Sequence, residues 1–185
     1  DGKYCPAESV SAAISGDVSD SAANHVQIRS QGDMFGGIYV DGKGTYEIND
    51  ADIELVGNGG SDAIGYGAAI AVRGDAEVTI NRATIHNAGS IRTALQVCAN
   101  GKVVVNDSEF TARDLDRPNY VMAMSKAPWM LGIHGRVRTT NIQDYGQVEY
   151  HRCKVTAENW GAMSTDGTKR VRLHMYDSEI QVTGS

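Results

Sequence analysis

Five segments of this chain fall into one register: GTYEINDADIEL, AEVTINRATIHN, GKVVVNDSEFTA, GQVEYHRCKVTA and VRLHMYDSEIQV. Their central residues are Ile48, Ile80, Val105, Tyr150 and Met175, separated by 32, 25, 45 and 25 residues. A unit of 25 residues therefore recurs, lengthened once by 7 and once by 20. One such unit cannot enclose a core of its own. Units of this kind must stack and bury their apolar faces on one another.

The columns of this register have physical sense. Two places before the central residue stand Tyr46, Val78, Val103, Val148 and Leu173, and five places after it Ile53, Ile85, Phe110, Val155 and Ile180. Three places after it every residue is small: Ala51, Ala83, Ser108, Cys153 and Ser178. Apolar residues at these offsets describe two strands of period two, broken by a polar corner. A third strand precedes them, with Ile38, Ile70 and Leu95 in one column and Val40, Val72 and Val97 in another. It becomes more polar later, at Thr140 and Thr165.

The corner itself argues against a β-sandwich of 25-residue hairpins. Asn49, Asn81 and Asn106 share one position, and Asp50, Arg82, Asp107, Arg152 and Asp177 share the next. Stacked corners let asparagines bond along a ladder and let alternating charges attract. An antiparallel sandwich gives no reason for either column.

This pattern resembles the right-handed parallel β-helix of the pectin-lyase-like superfamily, over roughly residues 36–183. The resemblance implies an all-β fold of about five coils, with strands about 4.8 Å apart along the stack. Residues 1–35 are expected to form an N-terminal cap, with SVSAAISG as a short helix, and residues 36–185 the β-helix, interrupted by the insertion at 113–136. The cap would cover strand edges that are otherwise open to pairing.

Composition agrees and narrows the function classes. Among 185 residues only five are leucine, whereas a helical domain of this size would use many more. The net charge of −6 speaks against a general nucleic-acid binder. No apolar run reaches the length that spans a bilayer. The three cysteines, Cys5, Cys98 and Cys153, lie far apart and form no zinc-ligand spacing. No metal and no cofactor is expected. The chain begins at Asp1 rather than Met, which is read as a removed leader or a trimmed chain.

The unusual chemistry gathers near the insertion, which carries Asp114, Asp116, Arg117, Tyr120, Lys126, Trp129 and His134. Long loops in compact repeat proteins are usually functional or disordered. In enzymes of the resembled fold, the substrate groove lies along the face of the first strands. On that face the register places Tyr39, Ala71, Gln96, Asn141 and Asp166 pointing outward. The insertion would overhang the last three. His134 and Asp166 are the acid/base candidates, and Arg138 is the anion clamp. Arg136, Asn141, Gln96, Trp129 and Lys169 complete the expected substrate-binding set, with Arg side chains suited to a uronate carboxylate. Trp160 and Tyr145 offer further aromatic platforms. GIHGRVR echoes elements of polygalacturonases, but their paired aspartates are missing, so that family is not assigned.

Two function classes follow. The first is a secreted or periplasmic carbohydrate-active enzyme, a lyase, hydrolase or transferase acting on an oligo- or polysaccharide, acidic ones included. The second is a non-catalytic extracellular binding or adhesin-like module. The 20-residue insertion favours the enzyme, because a plain rod has little use for it. A further expectation concerns VRLHMYDSEIQV, whose inward Leu173, Met175 and Ile180 need cover from below. A second chain or an identical subunit is expected to stack there.

Overall fold

In the computed structural model the described residues are 3–4, 13–61, 65–115, 137–158, 161–166 and 169–184, with side-chain surroundings from residue 15 onward. Their secondary structure is all β, without a helix. The chain opens with two short strands, β1 (Lys3–Tyr4) and β2 (Ala13–Val18), and a long one, β3 (Ala22–Ser30). It then runs through strand triples that repeat the sequence unit. The first is β4 (Ile38–Asp41), β5 (Lys43–Asn49) and β6 (Asp52–Val56). The second is β7 (Ile70–Val72), β8 (Asp75–Asn81) and β9 (Thr84–Ala88), and the third β10 (Leu95–Val97), β11 (Lys102–Asn106) and β12 (Glu109–Arg113). Beyond the insertion come β13 (Thr140–Ile142), β14 (Gln147–His151) and β15 (Lys154–Glu158), then β16 (Met163–Thr165), β17 (Arg172–Tyr176) and β18 (Glu179–Thr183).

Within the triples each strand from β4 to β15 pairs in parallel with the strand three places on, so the triples lie on one another in register. Val78 pairs with Val103 and Val103 with Val148, as the sequence columns require. The first strands of the triples form one sheet with β1, and the remaining strands form the other. This arrangement is compatible with a parallel β-helix. In the second and third strands of the inner rungs, such as β8, β9, β11, β14 and β15, buried residues alternate with less buried ones, whereas β7, β10 and β13 are buried at every position. Ile80, Val105 and Phe110 are essentially inaccessible, and Phe110 meets the Tyr150 ring edge-on at a centroid distance of 5.9 Å.

The head of the stack differs from expectation. Ala13–Val18 is not helical but a strand, paired antiparallel with β3. Likewise β1 pairs antiparallel with β4. Both strands close an edge by hydrogen bonding, which a helix lying across it would leave open. The repeat also begins earlier than residue 36. Strand β3 bends at His25, and its two halves pair with β5 and β6, so it belongs to a rung of the stack.

The corners hold the rungs in register. Asn49 donates to Asn24 at 2.9 Å, Asn81 to Asn49 at 2.8 Å and Asn106 to Asn81 at 2.9 Å. Past Asn106 the column changes chemistry: His151 stacks on Tyr176 at 4.8 Å with the rings 15° apart. The following residue of every rung has positive φ: His25, Asp50, Arg82, Asp107, Arg152 and Asp177 all lie between 50° and 55°. Side chains rarely tolerate this conformation, and Arg has no local bond that eases it. The column compensates by pairing. Arg82 grips Asp50 with Nε at 2.7 Å and Nη2 at 2.8 Å, and Arg152 grips Asp107 at 2.6 and 2.9 Å.

These bidentate bonds hold the Asp50 and Asp107 carboxyls below their ordinary pKa, with the neighbouring guanidinium charge adding to the effect. The contribution to stability is therefore fully present above the unfolded carboxylate value and lost as pH falls through the depressed folded value. Replacement Asp50→Asn should lower the urea midpoint at neutral pH, and the difference from the parent should vanish in acid below the folded pKa. Phe110→Ala should cost about 3–5 kcal/mol in equilibrium unfolding, because it empties a fully enclosed aromatic position. A loss below about 1 kcal/mol would mean that the residue does not face the core.

Candidate functional site

Arg138 lies two residues before β13 and its side chain is only 3% exposed. A buried guanidinium requires partners for its charge and its donors. Its Nη2 meets Asp166 Oδ2 at 2.6 Å and its Nη1 donates to Ser164 Oγ at 2.5 Å. Ser164 Oγ in turn lies 3.5 Å from Asn141 Oδ1. The carboxylate of Asp166 is 41% exposed and forms the outer lip of the cluster. Arg138, Asn141 and Asp166 are thus brought together around Ser164, a residue the sequence reading had not marked.

Ser164 was missed through a register slip. Asn141 pairs with Ser164, and Ile142 with Thr165. Asp166 therefore sits just past the strand, its N–H donating to the Ile142 carbonyl at 3.3 Å. The turn between β16 and β17 is two residues longer than that between β13 and β14, so counting back from Met175 landed two places late.

The roles of individual residues change accordingly. Gln96 and Asn141 lie in one column, as expected, but are fully enclosed rather than open to solvent. Over Gln96 lies the loop that the 7-residue insertion creates. Gly65 of this loop lies against Gln96 and Ala71 with φ at 77°, a backbone conformation that favours glycine. The Arg138 guanidinium faces Asp166 and Ser164 rather than an outside anion. Lys169 is exposed, and its carbonyl accepts the Tyr145 N–H at 2.8 Å. Tyr145 itself is 42% exposed. His134, Arg136 and Trp129 lie outside the described residues, as does most of the insertion at 113–136 and Trp160.

A second buried arginine was also missed. Arg92 donates to the carbonyls of Gly57, Phe35, Gly32 and Asn58 at 2.6, 2.7, 2.9 and 3.3 Å. It ties the loop after β6 to the loop before β4. A signal was present: in its column the other rungs carry Phe35, Gly67 and Val137, so a lone Arg is conspicuous. Next to it runs a polar chain along the third turn. Asn58 N–H donates to Asp33, Ser90 N–H to Asn58, and Ser90 Oγ to Asp114.

Elsewhere, a shallow groove follows the corner, lined by Asp107, Glu109, Arg152, Lys154, Asp177 and Glu179. Its charges alternate in sign from rung to rung, four carboxylates against two cations, so it carries no single-sign field strong enough to mark a cationic or anionic site. Burial pushes the Cys153 thiol above its ordinary pKa, which works against a nucleophilic thiolate. Among the described residues no group of three or more His, Cys, Asp or Glu is placed to hold a metal.

Scanned against protein-family models the chain matches none, and neither the curated proteins nor the solved structures give a significant match.

Replacement Asp166→Asn removes the counter-charge of a buried guanidinium. It should cost about 1–3 kcal/mol of stability, the range for a charged hydrogen bond left incomplete. Urea unfolding checks this. An unchanged midpoint would show that the pair does not hold the turn.

Proposed function

We propose that the chain is a right-handed parallel β-helix of about five coils, of the pectin-lyase-like superfamily, working as an extracellular carbohydrate-binding module. One observation carries the binding reading: an exposed aromatic ring and an anchored carboxylate come from consecutive turns of the stack. Tyr145 offers a flat apolar plate at the rim, and its backbone is tied to Lys169. Asp166 offers hydroxyl-accepting oxygens held in place by Arg138. An aromatic plate, a fixed carboxylate and an ammonium group on consecutive turns supply the kinds of contact a sugar ring takes, with its apolar face and polar rim. The ligand class is an oligo- or polysaccharide, and Lys169 extends it to acidic ones. The secreted or periplasmic setting rests on the superfamily resemblance.

The enzyme reading keeps one observation in its favour. The Asp166 carboxylate is partly exposed at the edge of the face where this fold's enzymes bind substrate, with His134 as its proposed acid/base partner. Against catalysis by the described part of the face stand the enclosed Gln96 and Asn141 and the occupied Arg138.

Calorimetric titration with neutral and uronate oligosaccharides, run beside an assay for reducing ends and unsaturated products, separates the readings. Binding without turnover is the expected result. Tyr145→Ala should weaken that binding about tenfold, in line with the loss of one aromatic contact. Turnover abolished by Asp166→Asn would establish the enzyme instead. Failure to bind any oligosaccharide would refute the carbohydrate reading altogether.

A further inference from the structure

Past the last paired position of each first strand stands one residue, and the stack brings these residues into a column. The pairings Val40–Val72, Val72–Val97, Val97–Ile142 and Ile142–Thr165 set Asp41, Arg73, Cys98, Gln143 and Asp166 one rung apart. From Arg73 to Asp166 is three rungs, a span of about 14 Å at the usual strand spacing. Asp166 belongs to the rim proposed to bind sugar. Between the ends the column is uncharged, at Cys98 and Gln143, and Arg73 is its one cation.

Three arginines among the described residues are not exposed: Arg73, Arg92 and Arg138. Arg92 is satisfied by four carbonyls, and Arg138 by Asp166 and Ser164. Arg73 differs. Among the described residues no carboxylate comes within ion-pairing distance of it, and its Nε is enclosed without a hydrogen bond. Its guanidinium carbon lies over the Tyr39 ring, 5.5 Å from the centroid, which seats the group without neutralising it. Asp41, its neighbour in the column, is engaged elsewhere. It accepts the Gly42 N–H at 2.7 Å and the Tyr39 hydroxyl at 3.3 Å. The turn behind Arg73 is tightly seated as well: Gly74 has φ at 68°, and a Cβ there would meet the Gly42 carbonyl oxygen at 2.5 Å. A partly desolvated guanidinium without a counter-charge is unfavourable for the fold by itself. Arg73 keeps some contact with solvent, so a ligand can reach it. Its planar fork of donors matches the oxygens of a carboxylate or sulfate.

We infer that Arg73, seated on Tyr39 beside Asp41, is a subsite for an anionic substituent of the ligand, a sugar carboxylate or sulfate ester. The inference rests on the carbohydrate reading and extends its site along the column. A sugar chain held at Tyr145 and Asp166 continues towards β7 and β4, and its negative group is taken at Arg73. Arg138 cannot serve this purpose, because Asp166 and Ser164 already occupy it.

The test is calorimetric titration of the full chain with three oligosaccharides of one length, neutral, uronate and sulfated. An anionic one should bind about tenfold more tightly than the neutral one, the scale of a charge-assisted hydrogen bond. The advantage should shrink as salt rises. Preference for either anionic chain supports the inference, and the stronger of the two identifies the anion. Arg73→Gln should abolish the difference, whereas Arg73→Lys, charged but without the fork, should keep part of it. On the unaltered protein, phenylglyoxal modification of Arg73, read by mass spectrometry, should slow more with the anionic oligosaccharide than with the neutral one. Equal binding of all three, a preference unchanged by Arg73→Gln, or no protection of Arg73 overturns the inference and leaves the carbohydrate reading in place. Binding of none of the three overturns both.

Discussion

The fold depends on the stacking of like corners. A strand can turn sharply at positive φ only if something holds it there, and the held residues include aspartate and arginine rather than glycine. Each corner residue is anchored by its neighbours one rung away, through the asparagine ladder on one side and alternating ion pairs on the other. The stability of any corner is a property of the pair, which is the physical meaning of a repeat protein with nearest-neighbour coupling. The inner hydrophobic columns exclude a one-residue slip, because it would turn every inward side chain outward. The corners fix the register.

Charge is used in two opposite ways. Along the corner, ions sit in solvent, where each pair is weak and serves chiefly to select neighbours of the right sign. On the turns leading into the first strands, Arg92 and Arg138 are buried. Arg92 gathers four carbonyls from two loops, and Arg138 gathers a serine and a carboxylate. A buried guanidinium makes a rigid crosslink because every unmet donor would be costly. The loops that flank the first-strand face are therefore shaped from within the stack.

How much of this was legible in the sequence depends on what enforces each column. Inward positions such as Ile80 and Val105 were legible because period-two alternation follows from the backbone. The asparagine ladder was legible because one residue type recurs at one offset. Its first member, Asn24, was hidden: its rung lies 25 residues before the Asn49 rung, but its central residue is Ala23 rather than a large aliphatic, and Val26 replaces the small residue. The site was less legible. Turn length is not fixed by the core, so a two-residue difference between β16 and β17 displaced Asp166 from the column assigned to it. Nor does alternation say whether an outward side chain meets water or an overlying loop. Gln96 points away from the core and is nevertheless enclosed.

The antiparallel closure of the head gives the stack a direction. Strand β2 runs against β3 and β1 against β4, whereas the triples pair with one another in parallel. At β3 and β4 two unlike hydrogen-bond patterns therefore meet, perpendicular bonds in close and wide pairs on one side and evenly spaced slanted bonds on the other. A strand held by both ladders at once cannot slip along one neighbour without breaking its fit to the other, so the head pins the register that each following rung inherits.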